Sequence, residues 1–189
     1  MTDTLFPMPP VSHHHKLFFA AIPGPSVADA LAHAWRDHGN GARFRADKLH
    51  MTLHYAAALT EDGPATVAAL CDAGAALVAA PFTLTLDRLS CFAGRPDNRA
   101  LVAQADDPEG RAQRIMEQLR LACVAAGLRP PKGASRTIRP HVTLAYGRDF
   151  GPERPLPDPI PWTIDDIVLI NSHQGQGRHV ELGRWPLRG

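Results

Sequence analysis

The feature that most limits how this 189-residue chain can fold is a repeated octet. Arg139-Pro140-His141-Val142-Thr143-Leu144-Ala145-Tyr146 is a second copy of Lys48-Leu49-His50-Met51-Thr52-Leu53-His54-Tyr55, ninety-one positions earlier. His, Thr, Leu and Tyr recur at four places, a cation stands two residues before each His, and Met51 matches Val142 as an apolar filler. Ten His and ten Thr produce roughly half of one His-x-Thr by accident, so a lone copy carries little weight and a matched octet carries much. Both copies alternate as extended strands do. Leu49, Met51 and Leu53 fall on one face and His50, Thr52 and His54 on the other, with each His about 6.6 Å from its Thr. The same alternation assigns Tyr55 and Tyr146 to the apolar face, hence to the core.

The repeat extends beyond the octets. Leu17–Ile22 reads as a buried strand stopped by Pro23-Gly24-Pro25. A helix follows, with a capping-box-like start at Ser26 and Asp29 and a stripe of Val27, Leu31, Ala34, Trp35 and His38, ended by Gly39-Asn40-Gly41. Asp62-Gly63-Pro64 opens a second helix (Val67, Leu70, Cys71, Leu77, Val78 inward). Asp107-Pro108 caps a third, with Ile115, Met116, Leu119 and Cys123 inward. Strands are expected at Pro81–Leu86 and Ala100–Ala103, and Pro152–Pro161 reads as a proline-rich connection. Pro161-Trp162-Thr163-Ile164 then echoes Pro81-Phe82-Thr83-Leu84, and a hairpin closes the chain from Ile167 to Trp185 around Gly175–Gly177. Strand, helix, His-x-Thr strand and Pro-aromatic-Thr-aliphatic strand thus occur twice in order, which predicts two similar lobes.

Composition narrows the class. Forty-four percent apolar residues and a net charge of +1 indicate a soluble globular domain over residues 16–189, and the Pro- and His-rich residues 1–15 read as a mobile tail. Its His13-His14-His15 triplet is taken as incidental. Leu17–Ile22 is too short for a signal-peptide core or a membrane span. Cys71, Cys91 and Cys123 are isolated and in no CxxC spacing, which argues against disulfides and zinc and for a reducing cytoplasm. Between Glu117 and Asp149 there are no acidic residues, while Arg120, Arg129, Lys132, Arg136, Arg139 and Arg148 are present. That basic run beside the second motif suits an anionic ligand.

Two histidines facing one cleft supply an acid and a base with ordinary pKa values near about 6.5. One imidazole takes a proton from water while the other gives one to a leaving oxygen, and each Thr hydroxyl holds a phosphate oxygen. A shared metal fits poorly: His50 and His54 would lie about 13 Å apart along a strand, against bonds of about 2.1 Å.

His50-Met51-Thr52-Leu53 and His141-Val142-Thr143-Leu144 resemble the paired HxTx motifs of the two-histidine phosphoesterase superfamily. Within it the chain is most similar, from Lys16 to the C-terminus, to the RNA 2′,3′-cyclic phosphodiesterase family, also called 2′-5′ RNA ligases. The resemblance implies an α+β fold of two pseudo-symmetric lobes, each an antiparallel sheet with helices outside, around a cleft carrying both motifs. It implies opening of an RNA 2′,3′-cyclic phosphate end to a 2′-phosphate without metal or cofactor, with reversible 2′-5′ ligation beside it. His50 becomes the proton donor and His141 the acceptor, with Thr52 and Thr143 beside them. Members often carry Arg five residues after the second His; here that residue is Tyr146, with Arg148 two further on.

Further substrate contacts are expected from Arg43, His54, Phe92, Arg139 and Arg148. The expected partners are RNA ends or nucleotides with a cyclic phosphate, met by a cytoplasmic monomer that does not engage membranes. Two alternatives are a phosphodiesterase for a small nucleotide such as ADP-ribose cyclic phosphate, and a non-catalytic RNA-binding protein of the same fold.

Overall fold

The same β-α-β unit occurs twice in the computed structural model, which describes residues 15–59, 63–95, 97–128 and 135–189. The first unit is β1 (His15–Ala21), α1 (Pro25–His38) and β2 (Met51–Leu59). After α2 (Pro64–Ala75) and β3 (Phe82–Arg95), the second unit is β4 (Asn98–Gln104), α3 (Arg111–Ala125) and β5 (His141–Gly147). The chain ends with β6 (Arg154–Ile164), β7 (Asp166–His173) and β8 (Arg178–Pro186). Two four-stranded antiparallel sheets result, ordered β2-β1-β7-β8 and β5-β4-β3-β6. The two His-x-Thr strands therefore occupy matching places, each at a sheet edge beside its own β-α-β partner. The expected tail lies outside the described residues except for His15, which begins β1.

One apolar core joins the sheets. Leu17, Phe19, Met51 and Leu53 from the first sheet cluster with Leu84, Leu101, Val142 and Leu144 from the second. Helix α1 packs on β5 and β6, α2 on β7 and β8, and α3 on β2. No helix among the described residues is long and apolar enough to cross a membrane.

Local chemistry departs from the sequence reading in four places. Helix α1 begins with Gly24 as cap and Pro25 in the first turn, and neither Ser26 nor Asp29 caps it; proline's fixed φ and missing N–H suit that position without a side-chain cap. Helix α3 begins at Arg111, yet Asp107 still caps it, its carboxylate accepting from the Arg111 and Gln113 backbone N–H groups (2.8 and 3.0 Å). Helix α2 stops at Ala75, which leaves Val78 outside the expected stripe and exposed. The proline-rich connection is strand β6, at the edge of its sheet. Pro155, Pro157, Pro159 and Pro161 alternate with residues that include buried Leu156, Ile160 and Trp162, and prolines without N–H groups blunt an open edge.

The Pro-aromatic-Thr echo has a different meaning from the one expected. Its two copies lie side by side in one sheet, with Leu84 opposite Trp162 and Phe82 opposite Ile164. Thr83 and Thr163 hydroxyls meet across that pair at 2.9 Å. The echo reflects a cross-strand partnership, and only the His-x-Thr units repeat in matching places.

Candidate active site

Side chains on the His-x-Thr strands are aimed by a backbone irregularity that strict alternation misses. In β2 the register with β1 runs Ala20↔Thr52 and then Phe19↔His54, so Leu53 is an extra residue. In β5 the register with β4 runs Val102↔Thr143 and then Leu101↔Ala145, so Leu144 is extra. These are β-bulges, in which one extra residue shifts the pleat. Both fall three residues after the motif histidine, and β2 has a second irregularity further on, where Ala56 is left over between Phe18↔Tyr55 and Leu17↔Ala57.

The consequences are the same in both lobes. Leu53 and His54, like Leu144 and Ala145, are consecutive buried residues. Beyond each bulge the faces are exchanged. His54 pairs opposite core residue Phe19 and leaves the face of His50, correcting the expectation that both imidazoles share it. Tyr55 and Tyr146, expected in the core, turn the other way: Tyr55 packs partly buried beside Phe18, and Tyr146 is 59% exposed.

His50 and His141 are held alike. Nδ1–H of His50 donates to the carbonyl of Lys48 (2.7 Å), and Nδ1–H of His141 donates to the carbonyl of Arg139 (2.6 Å). A carbonyl only accepts, so Nδ1 carries the proton and Nε2 remains for proton transfer. Each ring also packs against a phenylalanine: Phe18 lies 5.0 Å from His50, and Phe92 lies 4.7 Å from His141. Burial pushes both histidines below their ordinary pKa, opposed in each by the hydrogen bond to the carbonyl. His50 is lowered further by the positive charges of His141 and Lys48.

Two cavities flank the motifs, and each takes the His of one motif with the Thr of the other. A cavity of about 370 Å³ is lined by His50, Thr143, Tyr146 and the cations Arg43, Arg45 and Lys48. A smaller one of about 160 Å³ is lined by His141, Thr52, Tyr55, His54 and Arg139. Cross-pairing of this kind follows from the matched edge positions of β2 and β5, which contact one another.

Local structure fixes both approaches to the motifs. Trp35 donates its indole N–H to the Ala42 carbonyl (2.8 Å) and stacks on Phe44, which anchors the segment carrying Arg43, Arg45 and Lys48. On the other side Gln113 of α3 donates to the Arg136 carbonyl and accepts from the Ile138 N–H, both at 2.9 Å. That bond pair ties the segment leading to His141 onto α3.

Residues 23–176 match the family model described as the 2'-5' RNA ligase superfamily. The chain belongs to the 2'-5' RNA ligase superfamily. Comparison with curated proteins finds no match. Among solved structures, E. coli LigT complexed with 3'-AMP is similar at 22% identity and a TM-score of 0.74, covering 93% of this chain and 99% of that one. LigT complexed with NADP+ is similar at 25% identity and 0.70, covering 94% and 100%. The Thermus thermophilus protein TT0787 is similar at 24% identity and 0.72, covering 92% and 98%. These likenesses establish the fold.

Other residues singled out in this superfamily member's sequence are scattered. Arg43 and Arg139 line the large and small cavities respectively. Arg148 is exposed just after β5 and lines neither. Phe92 is half-buried against His141. Within the basic run, Arg120 donates from Nε and Nη2, one edge of its guanidinium, to both carboxylate oxygens of Glu117 on α3 (2.8 and 2.6 Å), and Arg129 and Lys132 lie outside the described residues. The charge of the large cavity comes instead from 43–48. There Arg45 is held by Asp47 through two hydrogen bonds (2.9 and 2.6 Å), a pairing that keeps the Asp47 carboxylate down at about 2.

His179 on β8 escapes the sequence reading altogether. Its ring meets His50 edge-on at 5.4 Å and lines the large cavity. Burial, then the positive charges of His50 and Lys48, push it down to about 4, so it is neutral at physiological pH. The closing hairpin carries no second His-x-Thr to mark it, and only the pairing of β7 with β8 brings it in. Among the described residues no group of three or more His, Cys, Asp or Glu could hold a metal ion.

Proposed function

We propose that this superfamily member is a phosphodiesterase that opens 2′,3′-cyclic phosphate ends of RNA to 2′-phosphates, acting without a metal and able to run the reverse 2′-5′ ligation. The observation that carries the reading is the matched pair of imidazoles, each with Nδ1–H held by the carbonyl two residues upstream. A pair of this kind supplies one base and one acid through free Nε2 atoms. His141 accepts a proton from water as its oxygen bonds to phosphorus. The bond from phosphorus to O3′ breaks, and His50 gives its proton to that oxygen. Thr52 and Thr143 hydroxyls donate to the non-bridging oxygens, where charge builds up.

The unequal cavities support this division. The leaving oxygen stays attached to the nucleoside, so the acid needs room beside it. The cavity at His50, about 370 Å³, falls within the usual range for small-molecule sites of roughly 300–1,000 Å³. The 160 Å³ cavity at His141 suits water, whose share of liquid volume is about 30 Å³.

The test is turnover of an oligonucleotide ending in a 2′,3′-cyclic phosphate, beside small cyclic nucleotides, with and without chelator. Activity on the oligonucleotide is expected to survive chelation and to collapse in His50→Ala and in His141→Ala, the double variant being little worse than either. Near-normal turnover in either folded single variant refutes the paired mechanism. Activity restored only by a divalent ion refutes the metal-free one.

A further inference from the structure

The bulge in β5 leaves an aromatic ring whose exposure packing does not explain. Tyr146 is 59% exposed, pairs across the ladder with small Ala100, and lines the cavity shared by His50 and Arg43. A large exposed aromatic in a concave, cation-lined site has the chemistry of a stacking platform. Every base has a π-face, and stacking on an aromatic side chain tolerates all four.

Polar groups in the same cavity add edge contacts. Ser172 is buried and its hydroxyl accepts from the Gln174 side-chain amide at 2.9 Å, which fixes one end of that amide and leaves its carbonyl oxygen as an acceptor. His179 is neutral there and carries one ring donor and one acceptor.

We infer that Tyr146, with Gln174 and His179 beside it, forms a nucleobase subsite in the large cavity, and that this subsite selects nucleosides over base-free phosphates. The inference rests on the proposed phosphodiesterase reading for its substrate. It concerns a different part of the ligand from the phosphate held by the two motifs. Tyr146 is a specificity residue that takes no part in proton transfer, so its loss acts on binding before turnover.

Calorimetric titration with adenosine 3′-monophosphate and with inorganic phosphate tests it, and needs no turnover. Tyr146→Ala is expected to weaken adenosine 3′-monophosphate binding by about tenfold or more while leaving phosphate binding unchanged. Tyr146→Phe restores the affinity, because the ring and not the hydroxyl does the stacking. On a cyclic-phosphate substrate the same Ala variant raises KM more than it lowers kcat. Equal losses for both probes, or no loss for either, overturns the subsite, as does a Phe variant as weak as Ala. If cyclic phosphates are not turned over at all, the phosphodiesterase reading falls while the titrations still decide the subsite.

Discussion

Lowering the pH destabilises this protein through His54, and the size of the effect follows from where the bulge places that residue. His54 is 5% exposed. Burial first, then the positive charge of Arg120, pushes it down to about 4, with Glu117 opposing. In the unfolded chain its pKa returns to about 6.5. The folded value lies below the unfolded one, so the unfolded state binds the proton first, and stability falls as pH drops from about 6.5 toward 4. With 1.36 kcal/mol per pKa unit, the full loss is about 3 kcal/mol, of which about 2 kcal/mol has gone by pH 5. For a domain of this size, 2 kcal/mol lowers Tm by roughly 4–8 °C. Other histidines with depressed values add to the total, so the informative quantity is a difference between two proteins. Urea unfolding of the wild type and of His54→Leu, at pH 7.5 and pH 5.0, isolates it. Leu keeps an apolar group of similar size at the site and leaves the Glu117–Arg120 pair intact. The variant should lose about 2 kcal/mol less than the wild type between the two pH values. Equal losses in both proteins would show that His54 is protonated as easily in the folded state as outside it, and the burial argument would fail.

Three other expectations can be checked with standard assays. The pH profile of kcat/KM should be bell-shaped and centred below about 6.5, because it reports the free enzyme's acid and base and both are depressed by burial; a plateau through pH 8 would contradict it. Replacing the bridging 3′-oxygen by sulfur should rescue His50→Ala but not His141→Ala, since a thiolate leaves without the proton that an alkoxide needs; rescue of His141→Ala alone reverses the assignment. Gly74→Ala on α2 would bring a methyl to 2.7 Å from the Trp185 indole and should cost about 1–3 kcal/mol in urea unfolding, a loss absent if the ring simply swings aside.

The centre of the candidate site, His50 and Thr52 with His141 and Thr143, was legible as a candidate because two copies of one pattern check each other, and four matched positions in eight are hard to write by chance. Helix positions were legible from their apolar stripes, and α3 buried the expected Ile115, Met116, Leu119 and Cys123. What escaped depends on tertiary pairing. A bulge is a relation between two strands, so nothing within Leu53-His54 or Leu144-Ala145 announces it, and the wrong face for His54, Tyr55 and Tyr146 followed directly. Prolines at 155–161 spoke for a loop, yet an edge strand tolerates them wherever no ladder N–H is required. His179 joins the site only through the β7–β8 pairing, and Arg45 and Lys48 were overshadowed by the longer basic run beside the second motif.

The bulges also bear on why the octet is shared between the two halves of this chain beyond His and Thr. Leu follows Thr in both copies, and it is the first residue left over by the ladder in both. A bulged residue contributes no ladder hydrogen bonds to hold it, so burial has to hold it instead, and Leu53 and Leu144 are each 2% exposed. Tyr, two residues later, is the first side chain returned to the face of the motif. Leu therefore sets the exchange of faces and Tyr uses it, which accounts for the four identical positions as a single device: His and Thr before the bulge, Leu in it, and Tyr beyond it. Where the halves differ, the device has been adapted. His54 became a buried imidazole near the Glu117–Arg120 pair, its counterpart Ala145 an apolar core residue, and the two cavities that the motifs share differ more than twofold in volume.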